Sequence, residues 1–332
     1  MINVTFEEFK NVKFELFENN PIIKRFGSST VVADPSVIPP EKSGDGKWHL
    51  FCHTFYGVYR FESNDGINFI NKGRVVKNAM RPDINVIDGV YYLYYERVQP
   101  LIKRGLAAIR KAKWFSEIYL IKSKDLENWT KPEKVVGYDK TYQAFDKGVS
   151  VSNPFLLKKD GKYVMYFSAG LTFLEDCNFS EPTFIARAES DMPDKLFVAD
   201  EVPILKPDRA NKRMNRCCGC IKVYELLDCY IGLQNGIYMD ENGNSHSVIA
   251  LLKSDDGKKF EYVKPLISPI KCGENEWMAQ YVYACSLVES GRKLWIYFNA
   301  RNEASIRKGR ENIGVAIAEI PIKAPQNEDN NE

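Results

Sequence analysis

The chain has 332 residues, 44% of them hydrophobic and 27% charged, with a net charge of +2 at pH 7. That length exceeds a minimal single core and asks for two domains or one repetitive architecture. The near-neutral charge gives no electrostatic case for nucleic acid or an anionic membrane as partner.

The N-terminus, MINVTFEEFKNVKF, is polar and mixed in charge, without an apolar signal core, and no stretch is long enough to span a bilayer. The eight cysteines (Cys52, Cys177, Cys217, Cys218, Cys220, Cys229, Cys272 and Cys285) are therefore expected as reduced thiols in a cytoplasmic protein. The short apolar segment NPII follows at 20–23.

From there the chain repeats. A first strand, DPSVI, is followed by an aromatic strand, GKWHLFCH, a third strand, YGVYRFE, a turn, SNDGINF, and a short outer strand, GRVV. The second unit reads PDINVI, GVYYLYYE, EIYLIKS, SKDLENW, EKVV; between its second and third strands lies the insertion LIKRGLAAIRKAKWF (101–115), read as partly helical. The third reads NPFLL, GKYVMYFS, TFIARAE, SDMPDKLF, VPIL, and the fourth CIKVYEL, DCYIGLQN, SVIALLK, SDDGKKF, KPLI. The fifth has YACSLVE, RKLWIYFN and IGVAIAEI but no outer strand. The turns begin at Ser63, Ser123, Ser190 and Ser254, spaced by 60, 67 and 64 residues. In each, the Asp is expected to accept local backbone N–H bonds while the aromatic ring packs behind.

Five units of four strands predict an all-β, five-bladed β-propeller with antiparallel blades, the missing strand supplied by residues 20–23 to close the ring. One domain over 1–324 follows, and the polar tail from 325 to 332 lacks the apolar residues that fold a chain.

First strands line the axis of a propeller. Asp34 and Asp83 open the first strands of blades 1 and 2, and the reading places them at equivalent positions, converging on one end of the channel. Two facing carboxylates suit acid/base work on a glycosidic bond.

The stretches ADPSVI, RPDINVIDGVYYLYYE and SKDLENW resemble those of glycoside hydrolase family 43 and its five-bladed relatives, families 32, 62, 68, 117 and 130. The resemblance implies that Asp34 is a general base and that Asp83 lies near the substrate. It implies cleavage, phosphorolysis or transfer of small sugars. The chain departs from that pattern where an Asp should open blade 3, which reads Asn153, and where a Glu should open blade 4, which reads CCGCIKV. The nearest substitute acid is Glu181, in an insertion between the second and third strands of blade 3, with Glu96 as its rival.

Other residues are expected at the same rim. His53, Gln234, Asn235 and Arg301 suit sugar hydroxyls, and Trp277 and Tyr281 suit stacking on a sugar face. Arg81, Arg187 and Arg301 are the cations that a phosphorylase would need. RCCGC (216–220) has the wrong spacing for a common zinc site, and neither metal nor cofactor is implied. The expectation is an inverting glycoside hydrolase acting on a small glycan or oligosaccharide. A family-130-type phosphorylase and a noncatalytic glycan-binding propeller are the alternatives, and the oligomeric state is open.

Overall fold

The computed structural model describes residues 1–108, 110–271, 273–305 and 308–320; Cys272 and the tail 325–332 lie outside the described residues. Five antiparallel sheets form the blades of a propeller. Blade 1 runs Ala33–Ile38, Trp48–Thr54, Gly57–Ser63, Ile70–Lys77; blade 2 runs Ala79–Ile87, Val90–Val98, Trp114–Ser123, Glu133–Val136. Blade 3 runs Val151–Lys159, Lys162–Leu174, Phe179–Ser190, Val198–Ala199; blade 4 runs Ile221–Glu225, Tyr230–Met239, Ser245–Ser254, Glu261–Ile267. Blade 5 has Tyr281–Ser290, Lys293–Arg301 and Glu311–Glu319.

The N-terminus closes the ring, but upstream of the expected segment. The closing strand is Glu15–Leu16, with Glu15 opposite Ile317 and Leu16 opposite Ala316. Of residues 20–23, Ile23 makes an isolated bridge to Ile313. Pro21 has no N–H to give to a ladder. Instead the Asn20 side chain does the pairing: its Oδ1 accepts the Val315 N–H at 2.9 Å and its amide donates to the Val315 carbonyl at 2.9 Å. Ahead of the closing strand, a helix at Phe6–Asn11 begins with a Thr5–Glu8 capping box. Its buried Phe6 and Phe9 join a core cluster shared by blades 4 and 5.

The turn motif behaves as expected in three of its four copies, at Asp65, Asp125 and Asp256; in the looser third copy Ser190 Oγ accepts the Met192 N–H and Asp194 pairs with Lys122. Asp65 Oδ1 accepts the N–H groups of Ile67 and Asn68 at 2.9 and 2.8 Å, and Asp125 Oδ1 those of Glu127 and Asn128 at 2.9 and 2.7 Å. Tyrosines latch these turns to the preceding blade. Tyr297 of blade 5 donates to the Gly66 carbonyl of blade 1 at 2.9 Å, Tyr94 of blade 2 to Pro193 of blade 3 at 2.6 Å, and Tyr166 of blade 3 to Gly257 of blade 4 at 2.7 Å.

A second set of clamps lies nearer the axis. Ser286 Oγ accepts the Val37 N–H at 3.2 Å, Ser36 Oγ the Ile84 N–H at 3.0 Å, and Asp83 Oδ2 the Leu156 N–H at 2.9 Å. Each ties one blade to the next. The insertion in blade 2 contains the helix Leu101–Ala108, as its sequence suggested.

Candidate functional site

The first strands of blades 1, 2, 3 and 5 share one irregularity, which in the first three carries an X-Pro pair and in blade 5 holds Tyr283–Ala284. In blade 1, Ala33 pairs with His53 and the next pair is Ser36 with Phe51, so Asp34 and Pro35 together face one residue. The same two-against-one bulge holds Arg81–Pro82 in blade 2 and Asn153–Pro154 in blade 3. In each, the residue before the proline takes a left-handed conformation, with φ of 54° at Asp34, 51° at Arg81 and 50° at Asn153. Strain of this kind persists where the surroundings over-determine the backbone, and it gathers at functional sites. All three residues line one axial pocket of about 80 Å³. Blade 4 contributes Gly219 and Cys220, and blade 5 Tyr283 and Ala284.

This register corrects the expectation for Asp83. Its place in blade 2 matches Ser36, not Asp34, because it follows the proline rather than preceding it. Its carboxylate points into the blade 2–blade 3 interface, where Leu156 N–H and the Asn85 amide donate to it at 2.9 and 2.8 Å. It does not line the pocket. Burial pushes its pKa up, against the pull of Lys222 and these donors.

Asp34 is the pocket's ionised acid. Its Oδ2 lies 3.2 Å from His53 Nδ1, and its backbone N–H donates to Asn299 Oδ1 at 3.1 Å. Burial works to raise its pKa. The hydrogen bond and charge of His53, with Arg81 and Lys222 nearby, outweigh that and hold the carboxyl below its ordinary range.

Glu181 reaches the same pocket from a longer hairpin than the sequence suggested. The middle strands of blade 3 run on past the blade, and Glu181 pairs with Thr172 near the hairpin's end, so it is part of a strand rather than a loop. The hairpin then bonds across to blade 4: Cys218 N–H donates to the Thr183 carbonyl and Gly219 N–H to the Pro182 carbonyl, both at 3.1 Å. Glu181 is thereby brought to the stretch of blade 4 that has no acid of its own. Gly219 is required there, since a Cβ would stand 1.9 Å from the Asn235 carbonyl oxygen and its φ is +63°. Glu181 is buried, and burial raises its pKa from 4.5 to about 7. Arg301, Arg81 and the Tyr283 hydroxyl pull it down, and Glu311 pushes it up.

Glu311 and Tyr283 are pocket residues that the sequence reading did not find. Glu311 opens the third strand of blade 5, opposite Arg301. Its Oε1 lies 3.4 Å from Arg301 Nη1, and its Oε2 accepts from the Asn299 amide at 3.3 Å. Burial raises its pKa, against Arg301.

Among the expected binding residues, His53, Arg81, Asn153, Asn235 and Arg301 line the pocket. Glu96, Arg187, Gln234, Trp277 and Tyr281 do not. Glu96 is fully buried and bonded to Arg81 Nη1. Arg187 sits in the third strand of blade 3, its Nη1 3.0 and 2.8 Å from the Asp200 carboxylate oxygens, with Glu189 on Nη2. Gln234 and Asn235 are consecutive strand residues and must face opposite sides; Gln234 turns away and donates to the Cys218 carbonyl at 2.9 Å. Trp277 stacks on Phe298 at 5.8 Å between ring centroids. Tyr281 stacks on Tyr283 at 5.2 Å, beneath the Arg301 guanidinium 4.7 Å from its ring centre.

Seven cysteines are described, all buried and free, and Cys220 reaches the pocket rather than a strand edge. Among the described residues, one group of metal-ligating side chains comes together, Asp45, His49 and Glu62 within 4.8 Å. It is apart from the pocket, and Lys47 already lies 2.7 Å from Glu62.

No protein-family model matches the sequence, and no curated protein matches it. Solved structures match in fold. An N-acetylgalactosamine deacetylase from F. plautii, in complex with blood group B trisaccharide, is 14% identical, with 92% of this chain and 95% of that one covered and a TM-score of 0.66. A structure from the GH130 family of mannoside phosphorylases, which contains glycoside hydrolases that target β-1,2 mannosidic linkages in Candida mannan, is 16% identical, covering 97% and 100%, with a TM-score of 0.62. A GH43 enzyme from Xanthomonas citri is 13% identical, covering 93% and 92%, with a TM-score of 0.57. The chain shares their propeller fold over nearly its whole length. Among the described residues no helix is long and apolar enough to cross a membrane.

Proposed function

We propose that this protein is an exo-acting glycoside hydrolase. The observation that carries the reading is the split in protonation between two carboxyls of one pocket: Asp34 is held ionised, and Glu181 is held protonated up to about pH 7. Two carboxyls pushed apart in this way are the signature of a general base and a general acid. Asp34 takes a proton from water as the water oxygen bonds to the anomeric carbon. Glu181 gives its proton to the glycosidic oxygen as the bond to that carbon breaks. Direct attack by water inverts the configuration at the anomeric carbon.

His53 and the Asn299 side chain hold Asp34 in place. Asn153, Asn235 and Arg301 offer polar groups for sugar hydroxyls. Asp83 has no part in the chemistry. Exo action is supported by the size of the axial pocket: about 80 Å³ lined by residues of all five blades suits one terminal sugar rather than a chain passing through.

Hydrolysis is favoured over phosphorolysis because both pocket guanidiniums are already matched by acids, Arg81 by Glu96 and Arg301 by Glu311. The third expected cation, Arg187, is elsewhere. The test is a panel of 4-nitrophenyl glycosides with and without inorganic phosphate, for wild type and Asp34→Asn. Release of nitrophenol without phosphate, lost in the variant, supports the reading. Release only with phosphate makes the protein a phosphorylase, and no release on any sugar, with glycan binding intact, makes it a binding propeller.

A further inference from the structure

A second cavity of about 500 Å³ opens from the axial pocket, and Phe55, Met80, Arg81 and Phe179 border both. Its lining is mostly apolar: Leu171 and Phe173 from the long blade 3 hairpin, Trp114 from blade 2, Phe145 from the segment between blades 2 and 3, and Leu101, Ala107 and Ala108 from the inserted helix, with Thr30, Lys147 and Ser180 among its polar members. The Trp114 indole N–H is already taken by Ser116 Oγ at 3.1 Å, which leaves its ring as a hydrocarbon surface. Arg110 is matched by Asp146 at 2.6 Å and lies over the Phe173 ring at 4.7 Å. Among the buried polar side-chain atoms of its described lining, one has no partner. Arg104 is 5% exposed and bonds to the Phe55 carbonyl through Nη2, while its buried Nη1 has no partner among the described residues. A buried, unpaired guanidinium donor costs free energy until an acceptor reaches it.

We propose that this vestibule holds the leaving group of the substrate, and that the leaving group is an aromatic aglycone carrying an anionic acceptor such as a carboxylate, rather than a second sugar. The inference rests on the hydrolase reading for the word aglycone, but its binding chemistry stands apart from it. A sugar in this cavity would strand most of its hydroxyls against hydrocarbon, each at a cost. Flat rings match the Trp114, Phe145, Phe173 and Phe179 surfaces, and a carboxylate completes Arg104. The geometry also gives the order of parts: sugar on the axis, scissile oxygen near Arg81 and Phe179, aromatic body beneath the helix.

The test uses the full chain and two probes, 2-naphthoate and 2-naphthylmethanol, by titration calorimetry. Wild type should bind both, and the carboxylate about tenfold more tightly. Gly105→Phe should weaken both, because a side chain at Gly105 meets nothing within 4 Å and enters the cavity mouth. Arg104→Met should bring the two affinities together. Ala108→Phe serves as a second filling variant, and melting curves check that each variant is folded. In parallel, the ratio of kcat/KM for a naphthyl glycoside to that for the methyl glycoside of the same sugar should fall about tenfold in Gly105→Phe. If the probes bind in this pattern and no glycoside is cleaved, the hydrolase reading falls and the aromatic acceptor site stands. If glycosides are cleaved while neither probe binds and the ratio is unchanged by filling the vestibule, the vestibule inference is overturned.

Discussion

Glu181→Gln is the sharpest perturbation of the site. An ordinary glutamate with a pKa of 4.5 is about 3% protonated at pH 6, whereas one raised to about 7 is about 90% protonated. Burial therefore gives the acid a roughly thirtyfold larger protonated fraction where Asp34 is still ionised. Activity of wild type should be bell-shaped. Its basic limb lies near pH 7, and its acidic limb lies below the ordinary carboxylate range, because Asp34 must be ionised and Glu181 protonated. Gln keeps the shape of the protonated acid but has no proton to give. The rate on alkyl glycosides should fall by about 10²–10⁴, and much less on 4-nitrophenyl glycosides, whose leaving group needs little help. The basic limb should vanish.

Stability carries the same signature. A carboxyl that is protonated in the fold up to about pH 7, but only up to 4.5 when unfolded, loses stability as pH rises through that window. The loss is on the order of 3 kcal/mol, and Glu181→Gln should lack it in urea melts at pH 4.5 and 7.5. A basic limb that survives near pH 7 in Glu181→Gln, with the alkyl glycoside rate within tenfold of wild type, would refute Glu181 as the acid.

Glu311→Gln removes a neighbour that raises the pKa of Glu181, so the basic limb of the pH–rate profile should move to lower pH without disappearing. Asp83→Ala should lower stability by about 1–3 kcal/mol, because it strands the buried Leu156 N–H, and leave kcat near wild type; a collapse of kcat in folded protein would return Asp83 to the chemistry. Asp34→Asn should cost about 10²–10⁴ in rate with circular dichroism unchanged, and a mild loss would remove it as the base. Tyr166→Phe should cost about 0.5–1.5 kcal/mol in denaturant melts by unlatching the Gly257 carbonyl.

The blades could be read from the sequence because four of them carry a turn before the outer strand, and in three of these the Ser and Asp bond to the local backbone, a signal independent of the rest of the fold. The axial site was legible at Asp34 and misread at Asp83. Aligning the two acids puts them in register, whereas aligning Pro35, Pro82 and Pro154 puts Asp34 with Arg81 and Asn153, which is the arrangement in the pocket. The bulge makes the proline the marker, and the acid is not one. Glu181 was found by elimination; what the sequence hid was that its strand continues past the blade and bonds to Cys218 and Gly219. Glu311 and Tyr283 carry no local signal, since an acid opening a strand and one tyrosine among 18 look like ordinary edge and core. Trp277 and Tyr281 were assigned to sugar because stacking rings look alike whether the partner is a ligand or another side chain.

The X-Pro bulge also separates what this fold can change from what it must keep. Residue 34, 81 or 153 hangs from a backbone kink that carries a proline and lies within the flanking ladder. An acid, a guanidinium and an amide occupy three copies of one socket. Exchanging the contents of a socket, together with a buried partner such as the Glu96 that Arg81 neutralises, alters the reagent presented at the axis while the tyrosine latches at the rims of the blades stay as they are. Architecture and chemistry are thus inherited on different residues, and a propeller of this kind can be re-equipped for another reaction one socket at a time.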